Sequence, residues 1–393
     1  MNTSETIGLY DKYVIGSYTK LPVVIVKGQG SRIWDADGKE YIDLFPGWGV
    51  SGTGHCHPMV VEAIRKQAAK LLHIPNNFYN EEQALLAKAI SEHSFGGKCF
   101  FCNSGAEAVE AAIKLTRKAT PEGKYKIVTM ENSFHGRTLA AITATAQPKY
   151  QAGFGPMPEG FTYVPFNDLK AVERAIDDKT AGILLELIQG EGGINVADVD
   201  YVKGLRKLCD DKGLVLTFDE VQTCMGHSGK YFGYQHYGVT PDIMTMAKAL
   251  GGGVAIGGIE AVPKVAAAFT PGTHASTFGG NSLACAAGLA VFEAIEKEDL
   301  LANTVKMGEY FMKKLKAFAG KHSFIKEVRG KGLMIGVQLT IPGAPIVAKC
   351  LERGLNVNCT HDTVLRMLPA MNITEAEADK GLSILESVLA ETK

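Results

Sequence analysis

The sequence predicts an α/β fold: a mostly parallel sheet in a large domain, with a smaller α+β domain after it. Three observations carry that expectation. Short apolar runs recur at KIVTM (126–130), GILLELI (182–188), LVLTFDE (214–220) and DIMTMAK (242–248), each bounded by polar or glycine residues. Runs of this length that are apolar without alternation read as strands buried on both faces. A helical pattern over 199–211 separates the second run from the third, which is the βαβ rhythm of a parallel sheet with helices on both faces.

The remaining elements follow in chain order. VVIVKGQGSRIWDADGKEYIDLF (23–45) has Asp37-Gly38 between alternating runs, the turn chemistry of a hairpin. Over 57–73 the apolar residues Val60, Ile64 and Leu71, with Ala68 between, have helical spacing. Residues 81–93 and 105–118 read as two more helices. In the C-terminal part, helical patterns over 284–295 and 304–319 lead into a glycine-punctuated strand pattern at 328–339, and a helix over 375–391 closes the chain. The division expected is an N-terminal segment, 1–45, that joins the small domain; a large ligand-binding domain, 46–285; and a small C-terminal domain, 286–393.

Composition narrows the function classes. A chain of 393 residues can bury a substantial core without staples. With 41 basic against 42 acidic residues the net charge is -1, which makes no electrostatic case for nucleic acid or an anionic membrane. No apolar stretch has the length to span a bilayer, and the first residues lack the basic-then-apolar pattern of a signal peptide, so the cytoplasm is the expected location. The eight cysteines are scattered and read as reduced, mostly structural thiols. Cys99-x-x-Cys102 and His55-Cys56-His57 look metal-like, but no second matched pair accompanies them, and no metal is expected.

In open α/β sheets ligands bind at the carboxyl ends of the strands, so polar residues that end the apolar runs are the ones to weigh. One run ends in Asp219-Glu220 and another in Lys248, followed by Gly251, Gly252 and Gly253. An acid there also serves as a helix cap or metal ligand, and a lysine there also snorkels to solvent. In a partly apolar crevice, however, a lysine loses its proton more readily and becomes a nucleophile for a carbonyl. The two together suit pyridoxal phosphate, which takes a lysine on its aldehyde and an acid on its pyridinium nitrogen. The turn Asn103-Ser104-Gly105 opens a helix at once and offers backbone N–H groups to a phosphate, although any capped helix has such a turn. There is no G-x-x-x-x-G-K-[ST], and the glycines from 251 to 258 do not follow G-x-G-x-x-G, so nucleotide readings are weak.

Eight segments in order carry a resemblance across nearly the whole chain: GHCHP (54–58), NSGAEA (103–108), SFHGRT (133–138), LIQGEGG (187–193), FDEVQT (218–223), AKALGGG (247–253), HASTFGGN (274–281) and VLRMLPAMNIT (364–374). They resemble the class III, fold-type I aminotransferases, the group with the acetylornithine, ornithine and 4-aminobutyrate enzymes. The resemblance implies a pyridoxal-phosphate enzyme and assigns roles. Lys248 would hold the cofactor and later shuttle the proton. Asp219 would pair with the ring nitrogen, Gln222 with the ring hydroxyl, and Phe134 would stack on the ring. Ser104, Gly105 and Ala106 would hold the phosphate, and Thr277 would complete that site from the other subunit of a homodimer. Taken singly, Phe134 would more often be plain core.

The resemblance also implies how substrates are chosen. Arg366 would take the α-carboxylate of glutamate. Arg137 would take its far carboxylate, or the α-carboxylate of an ω-amine donor. Glu191 would pair with Arg366 whenever glutamate is absent. Each of these also reads as an ordinary ion pair. The reaction implied is ping-pong transfer of the terminal amino group of an ω-amine to 2-oxoglutarate, giving glutamate. N-acetylornithine is the expected donor; ornithine, 4-aminobutyrate or another ω-amine, and an aminomutase of the same fold, are the alternatives. Trp48 departs from the acetylornithine pattern, where a smaller apolar residue is usual. It reads as closing the pocket round an acyl group, as marking a different amine, or as packing between subunits.

Overall fold

A computed structural model describes residues 1–392. Its centre is a seven-stranded sheet in the order Lys98–Cys102, Gly257–Ala261, Ile243–Met246, Val215–Asp219, Thr180–Leu185, Lys126–Met130, Phe161–Val164. Every neighbouring pair from Ile243–Met246 to Phe161–Val164 is parallel; Gly257–Ala261 runs antiparallel to both of its neighbours. All residues of the strands Thr180–Leu185, Val215–Asp219 and Ile243–Met246 are buried, which is why these segments show no polar alternation.

The helix Gly105–Ala119 shows how the faces are covered. Ser104 caps it, its Oγ accepting from the Glu107 N–H at 3.2 Å. Its buried stripe of Ala108, Val109, Ala112, Ile113 and Leu115 lies against the sheet, the small alanines permitting close approach. The helix Val199–Lys212 ends at Gly213 in the left-handed region, φ 64, where glycine carries no steric cost.

A second core gathers the two ends of the chain. Strands Ile25–Gln29, Arg32–Asp35 and Glu40–Asp43 form an antiparallel meander, extended in parallel by Leu355–Asn356. The turn before Glu40 uses Gly38 at φ 84, as the Asp-Gly signal predicts. Ile42 and Leu44 pack with Phe311, Leu315, Ile335 and Leu382 from the C-terminal helices and sheet. That sheet has the order Ile325–Lys331, Met334–Leu339, Val364–Met367, Asn358–Thr360.

Several elements differ from expectation. The run 182–188 is not one strand: it ends at Leu185, and Glu186 turns out of the ladder to bind backbone N–H groups elsewhere. The pattern at 328–339 belongs to a hairpin that turns at Gly332, φ 58. The helix Thr3–Tyr13 and the strands Lys98–Cys102, Phe161–Val164 and Gly257–Ala261 had no distinct sequence signal, since they are short, mixed in polarity or glycine-rich. Among the described residues, no helix is long and apolar enough to cross a membrane.

Candidate active site

A cavity of about 490 Å³ opens at the carboxyl ends of Val215–Asp219 and Ile243–Met246. Lys248 borders it, two residues past the strand, in the left-handed region with φ 49. A lysine has no intrinsic preference for that conformation, and the tight turn Lys248–Gly251 imposes it. Burial holds the Lys248 ammonium below its ordinary pKa; Glu191 opposes the shift, Arg366 adds to it, and Asp219 and Glu186 oppose it. The net direction favours the neutral, nucleophilic amine.

Asp219 is the adjacent strand's last residue, level with Thr245 in the parallel register. It is 4% exposed, and three hydrogen bonds fix it while Oδ2 keeps room for another. Its Oδ1 accepts from Thr245 Oγ1 and from the Val221 N–H, both at 3.0 Å, and its Oδ2 accepts from His135 Nδ1 at 2.7 Å. His135 is itself buried, and its Nε2 has no partner. Beside this pair lies Glu186, whose carboxylate accepts from the N–H groups of Phe134 at 2.9 Å and Gly190 at 3.0 Å. Burial pushes the Glu186 carboxyl up to about 7, with His135 pulling it down and Asp219 pushing it further up.

Ser104, Gly105 and Ala106 line one end of the cavity. They sit in the first turn of Gly105–Ala119, where backbone N–H groups lack intrahelical acceptors. Gly105 is required here: a Cβ would come within 2.8 Å of Val221. Gln222 lines the wall with its Oε1 buried and unpartnered, and its Nε2 donates weakly to the Trp48 carbonyl at 3.4 Å. Gly190 passes so close that a Cβ would stand 1.9 Å from that Oε1. Phe134 also borders the cavity, its ring edge-on to Tyr150.

At the other side, Arg137 is exposed at the rim, its guanidinium 4.2 Å from the Tyr150 ring centroid and 5.5 Å from that of Phe134. Glu191 lines the cavity and covers Arg366, which lies behind it at 1% exposure. Glu191 Oε1 and the Gly190 carbonyl each accept from Arg366 Nη1 at 2.7 Å. Burial works to raise the Glu191 carboxyl, but Arg366, with Lys248 and Lys149, outweighs it and the net shift is downward. The C-terminal sheet holds this turn: Thr360 Oγ1 donates to the Glu191 carbonyl at 2.6 Å, and Arg329 donates to the Gly193 carbonyl.

The structure thus brings together Ser104, Gly105, Ala106, Phe134, Arg137, Glu191, Asp219, Gln222 and Lys248 around one cavity, with Arg366 one layer back. Two residues stand apart. Trp48 is 49% exposed, at φ 57, with its ring against Phe45 and not on the cavity wall. Thr277 is exposed and does not border its own chain's cavity. His135 and Glu186 were missed as site residues. A glutamate inside the run LLELI was the available signal, because such a charge is rarely buried without partners.

Residues 13–389 match the class III aminotransferases. The chain is 53% identical to the acetylornithine aminotransferase of Caldanaerobacter subterraneus subsp. tengcongensis, over 97% of this chain and 98% of that one. It is 52% identical to the acetylornithine aminotransferase of Methanocaldococcus jannaschii over 100% of both. Among solved structures, ornithine aminotransferase from Toxoplasma gondii ME49 superposes with a TM-score of 0.95 at 33% identity, covering 100% of this chain and 96% of that one. With that match along nearly its full length, and a lysine and an aspartate side by side at the strand ends, the chain belongs to the class III aminotransferase family of fold-type I enzymes.

Proposed function

We propose that the protein transfers the terminal amino group of N-acetylornithine to 2-oxoglutarate, giving glutamate, with pyridoxal phosphate as its cofactor. The observation that carries this reading is the meeting of Lys248, Asp219 and the first turn of Gly105–Ala119 in one cavity. The donor is supported by the two acetylornithine enzymes above, each more than half identical to this chain.

The residues present fit the cofactor. The unpartnered Oε1 shows that the buried Gln222 amide has hydrogen-bonding capacity to spare, and Ser104, Gly105 and Ala106 line the cavity at the start of a helix, where backbone N–H groups would suit a phosphate. Lys248 would hold the aldehyde, Asp219 the ring nitrogen, Gln222 the ring hydroxyl, Phe134 the ring face, and Ser104, Gly105 and Ala106 the phosphate. When bound, pyridoxal phosphate supplies an aldehyde for the amine and an electron sink for the carbon that loses its proton.

The side chains do the rest. Lys248, whose burial makes its proton easier to lose, takes the proton from the donor carbon that bears nitrogen. His135 fixes the orientation of the Asp219 carboxylate, which would hold a proton on the ring nitrogen of the cofactor. Arg137 at the rim binds the donor's carboxylate, and Trp48, two residues from the cavity-lining Val50, belongs with the donor end. Glu191 neutralises Arg366 while the donor is bound and releases it to the α-carboxylate of glutamate or 2-oxoglutarate.

The same proposal makes the protein a cytoplasmic homodimer, with Thr277 of a second copy completing the phosphate site; its exposure beside the exposed Phe278 supports this. It also treats 46–285 as the cofactor-holding domain, with 1–45 and 286–393 as the second; the shared core of Ile42 and Leu44 with the C-terminal helices supports that division. Replacing Lys248 with Ala tests the assignment. The variant should lose turnover and the visible absorbance of the lysine-bound cofactor, and full activity would overturn the reading.

A further inference from the structure

Arg366 carries five N–H groups arranged as two forks, and a carboxylate can bind side-on across Nε and Nη2 or end-on across Nη1 and Nη2. The side fork is already filled by a single atom. Asn358 Oδ1 accepts from Nε at 3.1 Å and from Nη2 at 2.8 Å. Since guanidinium only donates, the amide oxygen of Asn358 is the atom that must face it. The Phe45 ring covers one face of the guanidinium, its centroid 4.7 Å from the central carbon. Nη1 donates to the Gly190 carbonyl and to Glu191. Asn358 and Arg366 are directly opposed in the antiparallel pair Asn358–Thr360 and Val364–Met367, so the contact is built into the sheet register.

We propose that Asn358 is a specificity-determining positioning residue: it closes the side fork of Arg366, so that a substrate carboxylate can bind only through the end fork, whose Nη1 Glu191 already occupies. Glu191 and the substrate then compete for Nη1, and that competition is what makes Glu191 a gate. Without Asn358 a carboxylate binds side-on with Glu191 still in place, and the gate no longer discriminates. The inference rests on the reading that Arg366 receives a substrate carboxylate.

The experiment uses the holoenzyme with Asn358→Ala and Asn358→Asp, each with and without Glu191→Ala. Single-turnover rates of the glutamate and N-acetylornithine half-reactions are measured, along with calorimetric binding of glutarate, a dicarboxylate that cannot react. Glu191→Ala should shift the ratio of the two half-reactions by about tenfold when Asn358 is present and by less than about twofold in Asn358→Ala. Asn358→Asp, which is isosteric and keeps the fold if alanine does not, places a permanent carboxylate on the side fork. It should weaken glutarate binding by about tenfold or more. An equal Glu191→Ala shift with and without Asn358, or unchanged glutarate binding in Asn358→Asp, overturns the proposal. If Arg366→Lys leaves glutarate binding and the glutamate half-reaction unchanged, the reading of Arg366 itself fails, an outcome distinct from failure at Asn358 alone.

Discussion

Glu191 accepts a 2.7 Å charged hydrogen bond from Nη1 of Arg366, a guanidinium otherwise enclosed by Asn358, Gly190 and Phe45. One active site must take an ω-amine with no carboxylate near the reacting carbon and a glutamate that has one. On the proposed reading the pair forms only when glutamate is absent. Glu191→Ala should therefore favour the glutamate half-reaction over the donor half-reaction by about tenfold, since a charged hydrogen bond contributes about 1.5–3 kcal/mol. Single-turnover kinetics of each half read this directly. Equal losses in both halves would reduce Glu191 to a structural role.

His135 acts through Asp219. Its Nδ1 holds Oδ2 at 2.7 Å while Thr245 and Val221 hold Oδ1, so the carboxylate has one orientation. His135→Ala should lower kcat by about tenfold or more with little change in the donor KM, because a lost charge-assisted bond disturbs the proton on the ring nitrogen and not donor binding. A rise in KM at constant kcat would contradict the positioning role. So would an unaltered pH profile of kcat.

Glu186 ties pH to stability. Its carboxyl is raised by burial from the ordinary 4.5 to about 7 in the folded protein. A raised carboxyl binds its proton more tightly folded than unfolded, so its contribution to stability is full below about 4.5 and is lost as pH rises through about 7. The loss is on the order of 3 kcal/mol. Thermal midpoints at pH 5 and pH 8 should show wild type losing more stability across this interval than Glu186→Gln. The variant also leaves one of the Phe134 and Gly190 N–H groups without an acceptor, so it starts less stable at pH 5. Parallel pH curves for the two proteins would remove Glu186 from this account.

The large sheet was legible because its central strands are buried on both faces, which leaves an uninterrupted apolar run as the trace of each. Asp219 and Lys248 were legible for the same reason: polarity at the end of such a run marks the ligand edge. Lys98–Cys102 and Gly257–Ala261 were not, because a five-residue strand with lysine or paired glycines carries no period that separates it from a loop. The contact of Asn358 with Arg366 depends on the register between two short strands, and no local pattern encodes which residues a register opposes. His135 stood in a recognised segment, yet its partner lies at the end of a strand more than eighty residues on, and only the fold brings the two together.

The central claim is the identity of the donor. Initial rates of glutamate formation from 2-oxoglutarate, with N-acetylornithine, ornithine and 4-aminobutyrate each as donor to the pyridoxal-phosphate-loaded enzyme, test it most directly. The account predicts the highest kcat/KM for N-acetylornithine, by about tenfold or more over ornithine, whose second ammonium would go unpaired where the acyl group belongs. A higher kcat/KM for ornithine or 4-aminobutyrate, or no glutamate from any of the three, would contradict it.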